Sequence, residues 1–309
     1  MSVHAEAFFF GAGRGARFCL LHEPKKGASR GAVLYVPPFA EEQNRARLAA
    51  ARAARALSQS GYTVLQMDPY GCGDSAGDFA QASWEAWLED LRHGVAILSR
   101  RARGPLWLWG VRAGALLCGQ MLMARYVPAH TGLLLWQPVL SGAQHLKQFL
   151  RLRMARESLR DERTPAPLPI KQAATLEAGS GQTVLDMVSQ EHARARLRGA
   201  SHQLRTDWVQ GKAVEVAGYT IAPALAFSLE RAVFEVPQDY CGRVVWLDVV
   251  RSPSEPEPLP TQTMLNTLAS HGQRVSRERI IEQPFWASAE TEGAAALIEA
   301  TRAALERIE

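Results

Sequence analysis

The 309-residue chain has four cysteines, Cys19, Cys72, Cys118 and Cys241, and no two of them form a Cys-x-x-Cys pair. That spacing gives neither a disulfide framework nor a structural zinc site, and it fits a reducing compartment such as the cytoplasm. No metal site and no cofactor are expected. Blocks of like charge are also missing. The 35 basic residues, arginine far ahead of lysine, nearly balance 31 acidic ones and leave a formal charge of +4. So slight an excess makes no case for nucleic acid. The start, MSVHAEAFFFGAG, lacks the basic segment and long apolar core of a secretory signal, so the mature chain is expected to begin there. The most apolar window, Pro105 to Met123, contains Arg112, Gly110, Gly114 and Gly119 and opens on strand-like Trp and Leu. A buried strand and helix explain it better than a membrane span.

What is present is an ordinary globular composition, 47% hydrophobic and 21% charged, enough for a large core. Short apolar strands alternate with helical stretches, the pattern of a mostly parallel sheet covered on both faces. Ala32 to Val36, Thr63 to Asp68, Leu106 to Gly110, Gly132 to Gln137, Arg243 to Val249 and Arg279 to Glu282 read as its strands, with an antiparallel pair over Ala5 to Phe10 and Ala16 to His22. Asn44 to Ser60 reads as a helix stopped by Gly61, and Ser83 caps a second one reaching Arg101, whose Trp84, Trp87, Leu91 and Leu98 recur at helical spacing. Thr261 to Ser270 and Thr291 to Ile308 are predicted as the last two helices. From Ser141 to about Pro237 the chain turns polar, with helical stretches over Gln144 to Arg160, Thr183 to Arg198 and Ile221 to Phe234. These features predict a core built from 1–140 and 238–309, interrupted by a helical cap insertion over 141–237.

The chemistry centres on Gly110-Val111-Arg112-Ala113-Gly114, where an apolar strand runs into a helix. Glycines two before and two after a central residue permit the sharp turn that presents a nucleophilic serine in hydrolases. Here the central residue is arginine. A guanidinium is always protonated and cannot attack a carbonyl, but at a helix N-terminus it can hold an anion. After Val36 comes Pro37-Pro38-Phe39-Ala40-Glu41-Glu42-Gln43-Asn44. In that position Phe39 would donate one oxyanion N–H and Ala113 the second, while Glu41, Glu42 and Asn44 could equally cap the following helix.

A literal Gly-x-Ser-x-Gly lies elsewhere, at Gly73-Asp74-Ser75-Ala76-Gly77. Ser75 sits several residues past its strand with no helix following at once, so a glycine-rich loop explains it better than a nucleophile. Cys72 and Ser141 are the other weak nucleophile candidates. A triad base belongs in the loop after the last strand, and that loop, Glu282-Gln283-Pro284-Phe285-Trp286, holds no histidine. His22, His93, His130, His145, His192, His202 and His271 read as surface or capping residues rather than bases. Asp248 is the weak candidate for the acid, with pairing to a nearby arginine as the alternative.

Together, VLYVPPFAEEQNRAR, QMDPYGCGDSAGDF and LWGVRAGALL resemble the α/β-hydrolase superfamily, in particular its serine-aminopeptidase or monoglyceride-lipase-like branch. More narrowly, PPFAEEQN, the arginine turn, VEVAGYTIAPAL (Val214 to Leu225) and QPFW resemble the group named exosortase A system-associated hydrolase 2. The resemblance spans nearly the whole chain. It implies the α/β-hydrolase fold with a helical cap, and a setting in bacterial exopolysaccharide synthesis and PEP-CTERM protein sorting, with a protein of that system as a partner. Three functions stay open. One is a pseudo-hydrolase binding a small anionic or acyl ligand under the cap through Arg112, Phe39, Ala113 and Trp286. The second is an ester, thioester or peptide hydrolase with a non-standard nucleophile. The third is a scaffold whose Arg112 is spent in a structural ion pair.

Overall fold

In a computed structural model, residues 4–24, 29–161, 203–287 and 294–307 are described. The strands are β1 (His4–Ala12), β2 (Gly15–Glu23), β3 (Gly31–Val36), β4 (Tyr62–Met67), β5 (Leu106–Val111), β6 (Gly132–Trp136), β7 (Val214–Val216), β8 (Tyr219–Ile221), β9 (Arg243–Val250) and β10 (Arg274–Ile281). The helices are α1 (Glu41–Gln59), α2 (Trp84–Arg101), α3 (Gly114–Met123), α4 (Gly142–Asp161), a helical segment over 203–209 (α5), α6 (Pro223–Arg231), α7 (Leu259–Ser270) and α8 (Ala295–Glu306).

Eight strands form one sheet in the order β1-β2-β4-β3-β5-β6-β9-β10. The first two pairings, β1 with β2 and β2 with β4, are antiparallel, and the rest are parallel. The central strands are buried along their whole length, all six residues of β3 and all five of β6, because helices cover both faces of the sheet. On one face Leu34, Leu108, Leu116, Leu135 and Leu229 join a core built with α2, α3, α4 and α6. On the other, Val33, Trp109, Leu134 and Val245 pack against the alanine face of α1 and against Leu297 and Leu305 of α8. Alternation along β5 divides its side chains between the two cores, Leu108 to one and Trp107 and Trp109 to the other.

Local signals account for the element ends. Ser83 accepts a hydrogen bond from Ala86 N at 3.1 Å and starts α2, and Gly61, at φ 96°, follows α1 in the left-handed region that glycine tolerates. Strand β10 extends back to Arg274, beyond the predicted Arg279 start, because an edge strand with polar residues on its outer side carries no continuous apolar run. Between β6 and β9 the helix predicted from Ile221 begins only at Pro223. Residues 214–221 instead form the antiparallel hairpin β7–β8, so the described part of this segment is not purely helical. The predicted helix Thr183 to Arg198 lies outside the described residues. No helix among the described residues is long and apolar enough to cross a membrane.

Candidate functional site

The turn from β5 into α3 is held by close backbone packing. A Cβ on Gly114 would stand 2.3 Å from Val36 O and 2.7 Å from Pro37 O, and one on Gly110 would stand 2.9 Å from Ala115 Cα. The two glycines therefore let α3 start against the end of β3. Between them Arg112 has φ 53°, and its backbone is fixed by N–H donation to Trp136 O at 3.0 Å and by Val139 N donating to its carbonyl at 3.1 Å. Ala40 (φ 52°) after β3 and Gln137 (φ 42°) after β6 share this left-handed backbone. Three non-glycine residues in that region, at the C-terminal ends of adjacent strands, each cost about 1–3 kcal/mol, and such strain collects at functional sites.

The Arg112 side chain is not free. Its Nε and one terminal nitrogen donate to the two Glu42 carboxylate oxygens at 3.3 and 3.2 Å, and the other terminal nitrogen donates to Gln137 O at 3.4 Å. The guanidinium also lies over the Trp286 ring, 4.7 Å from its centre. The paired side chains are only 13% and 19% exposed. An Arg112 open to an anion was one expectation; the turn instead carries a closed, electrically neutral pair. Glu42, offered by the sequence as a possible cap, does not cap α1, whose first turn has no side-chain cap at Ala40.

Phe39 and Ala113 come together here. Neither backbone N–H donates to a protein acceptor among the described residues, which leaves two donors available beside the turn. Next to them lies a small apolar cavity walled by Phe39, Trp84, Trp87, Ala113, Leu117 and Cys72. The Phe39 ring is fixed by edge-on contacts with Phe79, Phe149 and His145 at 5.6, 5.3 and 6.0 Å.

His145 corrects the sequence reading, which took it for a surface or capping residue. It lies on the first turn of α4, is 4% exposed, and both ring nitrogens are buried without a hydrogen-bond partner. Burial lowers its pKa to about 4; of its charged neighbours, Glu42 acts to raise it and Arg112 to lower it. The available signal is the spacing of Leu146, Phe149 and Leu150, which puts His145 on the buried face of α4 where that helix packs on Phe39. A second polar tie joins the β7–β8 hairpin to α1: Asn44 Nδ2 donates to the Tyr219 hydroxyl at 2.8 Å, and that hydroxyl donates to Glu41 at 3.5 Å.

The other candidates lie in structural roles. Ser75 Oγ donates to Asp68 O and accepts from Phe18 N at 2.9 Å, which pins its loop against β2. Cys72 is a buried thiol whose pKa is pushed up to about 12, chiefly by burial and then by Asp68, so it holds its proton at neutral pH. The Ser141 hydroxyl accepts from Gln144 N at 3.3 Å at the start of α4. Asp248 lies inside β9, where its carboxylate accepts from Trp246 Nε1 at 2.9 Å and from Arg277 at 3.0 and 2.7 Å. Among the described residues none of these four is hydrogen-bonded to a histidine, and no group of three or more His, Cys, Asp or Glu could hold a metal.

This strand order, with a strained residue between β5 and α3 and the loop after β3 facing it, defines an α/β-hydrolase fold. Solved structures of that fold superimpose on the chain. A thermostable carboxyl esterase from Bacillus coagulans, in complex with glycerol, matches with a TM-score of 0.54 at 13% identity over 90% of each chain. Est1E from Butyrivibrio proteoclasticus, bound to ferulic acid, reaches 0.56 at 13% over 97% of this chain and 98% of its own. Mouse alpha/beta hydrolase domain-containing protein 10 reaches 0.52 at 15% over 99% and 100%. At such identities the likeness is one of fold. The family described as serine aminopeptidase, S33 (Hydrolase_4) matches residues 27–207, more than half of the chain, and the chain belongs to that family. No curated protein matches it.

Proposed function

We propose that the chain is a member of its family without a Ser-His-Asp triad, and that it binds a small acyl ligand rather than hydrolysing one. The segment 141–237 would act as a cap over a core formed by 1–140 and 238–309. The observation that carries this reading is the Arg112–Glu42 pair stacked on Trp286 at the turn. Arginine stands where the fold presents a nucleophile, and tryptophan, which has no proton-accepting nitrogen, stands in the loop where it brings a base. The Phe39 and Ala113 amides would take the acyl carbonyl.

Because Glu42 already balances Arg112, a neutral ester, amide or thioester fits better than an anion, which would have to displace that carboxylate. A scaffold role is the second reading, favoured by the same closed pair. The resemblance of PPFAEEQN and QPFW to the exosortase A system-associated group supports a place in exopolysaccharide synthesis, with a protein of that system as partner, in the cytoplasm.

Calorimetry with methyl hexanoate, together with labelling by a fluorophosphonate probe, tests the proposal. Binding of the ester without turnover and without labelling is the expected result. Labelling that disappears in Ser75→Ala would overturn it in favour of hydrolysis. Indifference to esters, amides and thioesters alike would leave the scaffold.

A further inference from the structure

Among the strands, α1 packs mainly on β4 and meets β2 only along its edge. The methyl groups of Ala50 and Ala51 are too short to close the gap that results. A cavity of about 200 Å³ remains between helix and sheet, lined also by Phe18 and Leu20 of β2, Tyr35 of β3 and Gln66 of β4. Arg47, 44% exposed, stands at its rim. An apolar cavity of about 150 Å³ already admits benzene, so this one has room for a ring with a substituent. It lies on the α1 side of the sheet, across from the core that holds Phe39, Trp84 and Trp87.

Tyr35 gives the cavity its chemistry. The residue is 6% exposed, and its hydroxyl is buried without a hydrogen-bond partner. An edge-on contact with Trp109 at 4.9 Å holds the ring, and burial raises the hydroxyl's pKa, so it keeps its proton at neutral pH. The two charged residues of the lining cancel. Arg47 donates to both Asp68 oxygens at 3.2 Å, and Gln43 Nε2 and Asp74 N donate to the same carboxylate at 3.1 and 3.0 Å.

These features exclude two kinds of occupant. A hydrocarbon would leave the Tyr35 hydroxyl unpaired, and an ion would be desolvated beside a pair that is already neutral. We propose that this cavity is a second binding site, for an uncharged, phenol-like molecule whose hydroxyl pairs with Tyr35 while its ring lies among Phe18, Leu20, Ala50 and Ala51. A phenolic hydroxyl both donates and accepts, and so meets the tyrosine in either sense. Ordered water is the other way to satisfy Tyr35, and the test decides between them. The site is separate from the Phe39 and Ala113 amides and does not depend on the acyl-binding reading.

The full chain is titrated with phenol, toluene and benzoate, with Kd followed by ligand-observed NMR. Phenol should bind about tenfold more tightly than toluene, which has the same shape, the difference being the worth of one hydrogen bond. Benzoate should not bind. Tyr35→Phe should bring phenol to the level of toluene without lowering the melting temperature, because the hydroxyl has no protein partner to lose. Ala51→Leu, which fills the cavity, should abolish binding of both, and Ala51→Val serves if that variant does not fold. Equal binding of phenol and toluene, a phenol preference that survives Tyr35→Phe, or wild-type affinity in the filled variant would overturn the proposal. Failure of phenol to bind would leave the cavity to water and overturn it as well.

Discussion

The guanidinium of Arg112 and the indole of Trp286 are stacked, 4.7 Å from guanidinium carbon to ring centre. The contact joins the turn after β5 to the loop after β10, and it continues inward as a chain of edge-on aromatic pairs. Trp286 meets Phe285 at 5.0 Å, Phe285 meets Trp136 at 5.5 Å, and Trp136 meets Trp109 at 4.7 Å. The charge at the turn is thus mounted on rigid rings that belong to the core, and Glu42 closes it from the other side. A side chain held in this way is a fixed element of the site's wall.

The stack should be measurable as a coupling. A cation over a partly desolvated tryptophan contributes about 0.5–2 kcal/mol. In a double-mutant cycle of Arg112→Met and Trp286→Leu, followed by urea denaturation, the coupling should fall in that range. Strict additivity of the two changes would mean that the rings and the charge are merely adjacent.

The glycines of the turn make a sharper claim. Gly114→Ala would place a methyl group 2.3 Å from Val36 O and 2.7 Å from Pro37 O, both backbone atoms that cannot swing away. The start of α3 and the loop after β3 must then separate, at about 2–4 kcal/mol. Gly13→Ala, with nothing within 4 Å of the added carbon, is the control and should change stability by less than about 0.5 kcal/mol. Equal effects of the two would show that the turn is not packed as described.

Much of this was legible in the sequence, because it is written locally. Gly110 and Gly114 flank the turn by fixed spacing, Ser83 caps its own helix, and β3 and β6 are continuous apolar runs. What was illegible is set by contacts distant in sequence. Glu42 shows in the chain as one more acidic residue at a helix start, and only the sheet brings it to Arg112. His145 stands four residues before Phe149 on the face that also buries Leu146 and Leu150, but a histidine at such a position reads equally as a polar residue at the rim of the face, and only its contact with Phe39 fixes it inside. The hairpin β7–β8 was hidden because its apolar residues, such as Ile221, also suit the helix that follows.

Opening the ion pair should uncover an anion site. Glu42→Ala removes the carboxylate, opens the space it filled beside the guanidinium, and leaves Arg112, only 13% exposed, without its counter-charge. The cost is about 1–3 kcal/mol. Acetate should then stabilise the variant against heat by occupying the vacated position on the guanidinium, and should leave the wild type unaffected. If acetate stabilises both proteins equally, Glu42 does not guard Arg112.

Acid should weaken the fold through His145. Its pKa is lowered from 6.5 to about 4 in the folded state, so between these values the unfolded chain binds the proton more readily than the folded one. Stability attributable to this residue is therefore complete above pH 6.5 and is lost as pH falls toward 4. A shift of this size corresponds to about 3 kcal/mol across that window. His22, also held below its ordinary value by burial, acts in the same direction, so the informative quantity is the difference between wild type and His145→Phe. Urea midpoints measured from pH 7 to pH 4.5 should fall more steeply for the wild type. Parallel pH profiles would show that the imidazole at position 145 exchanges protons as freely in the folded chain as in the unfolded one, and hence that it is not buried beneath α4.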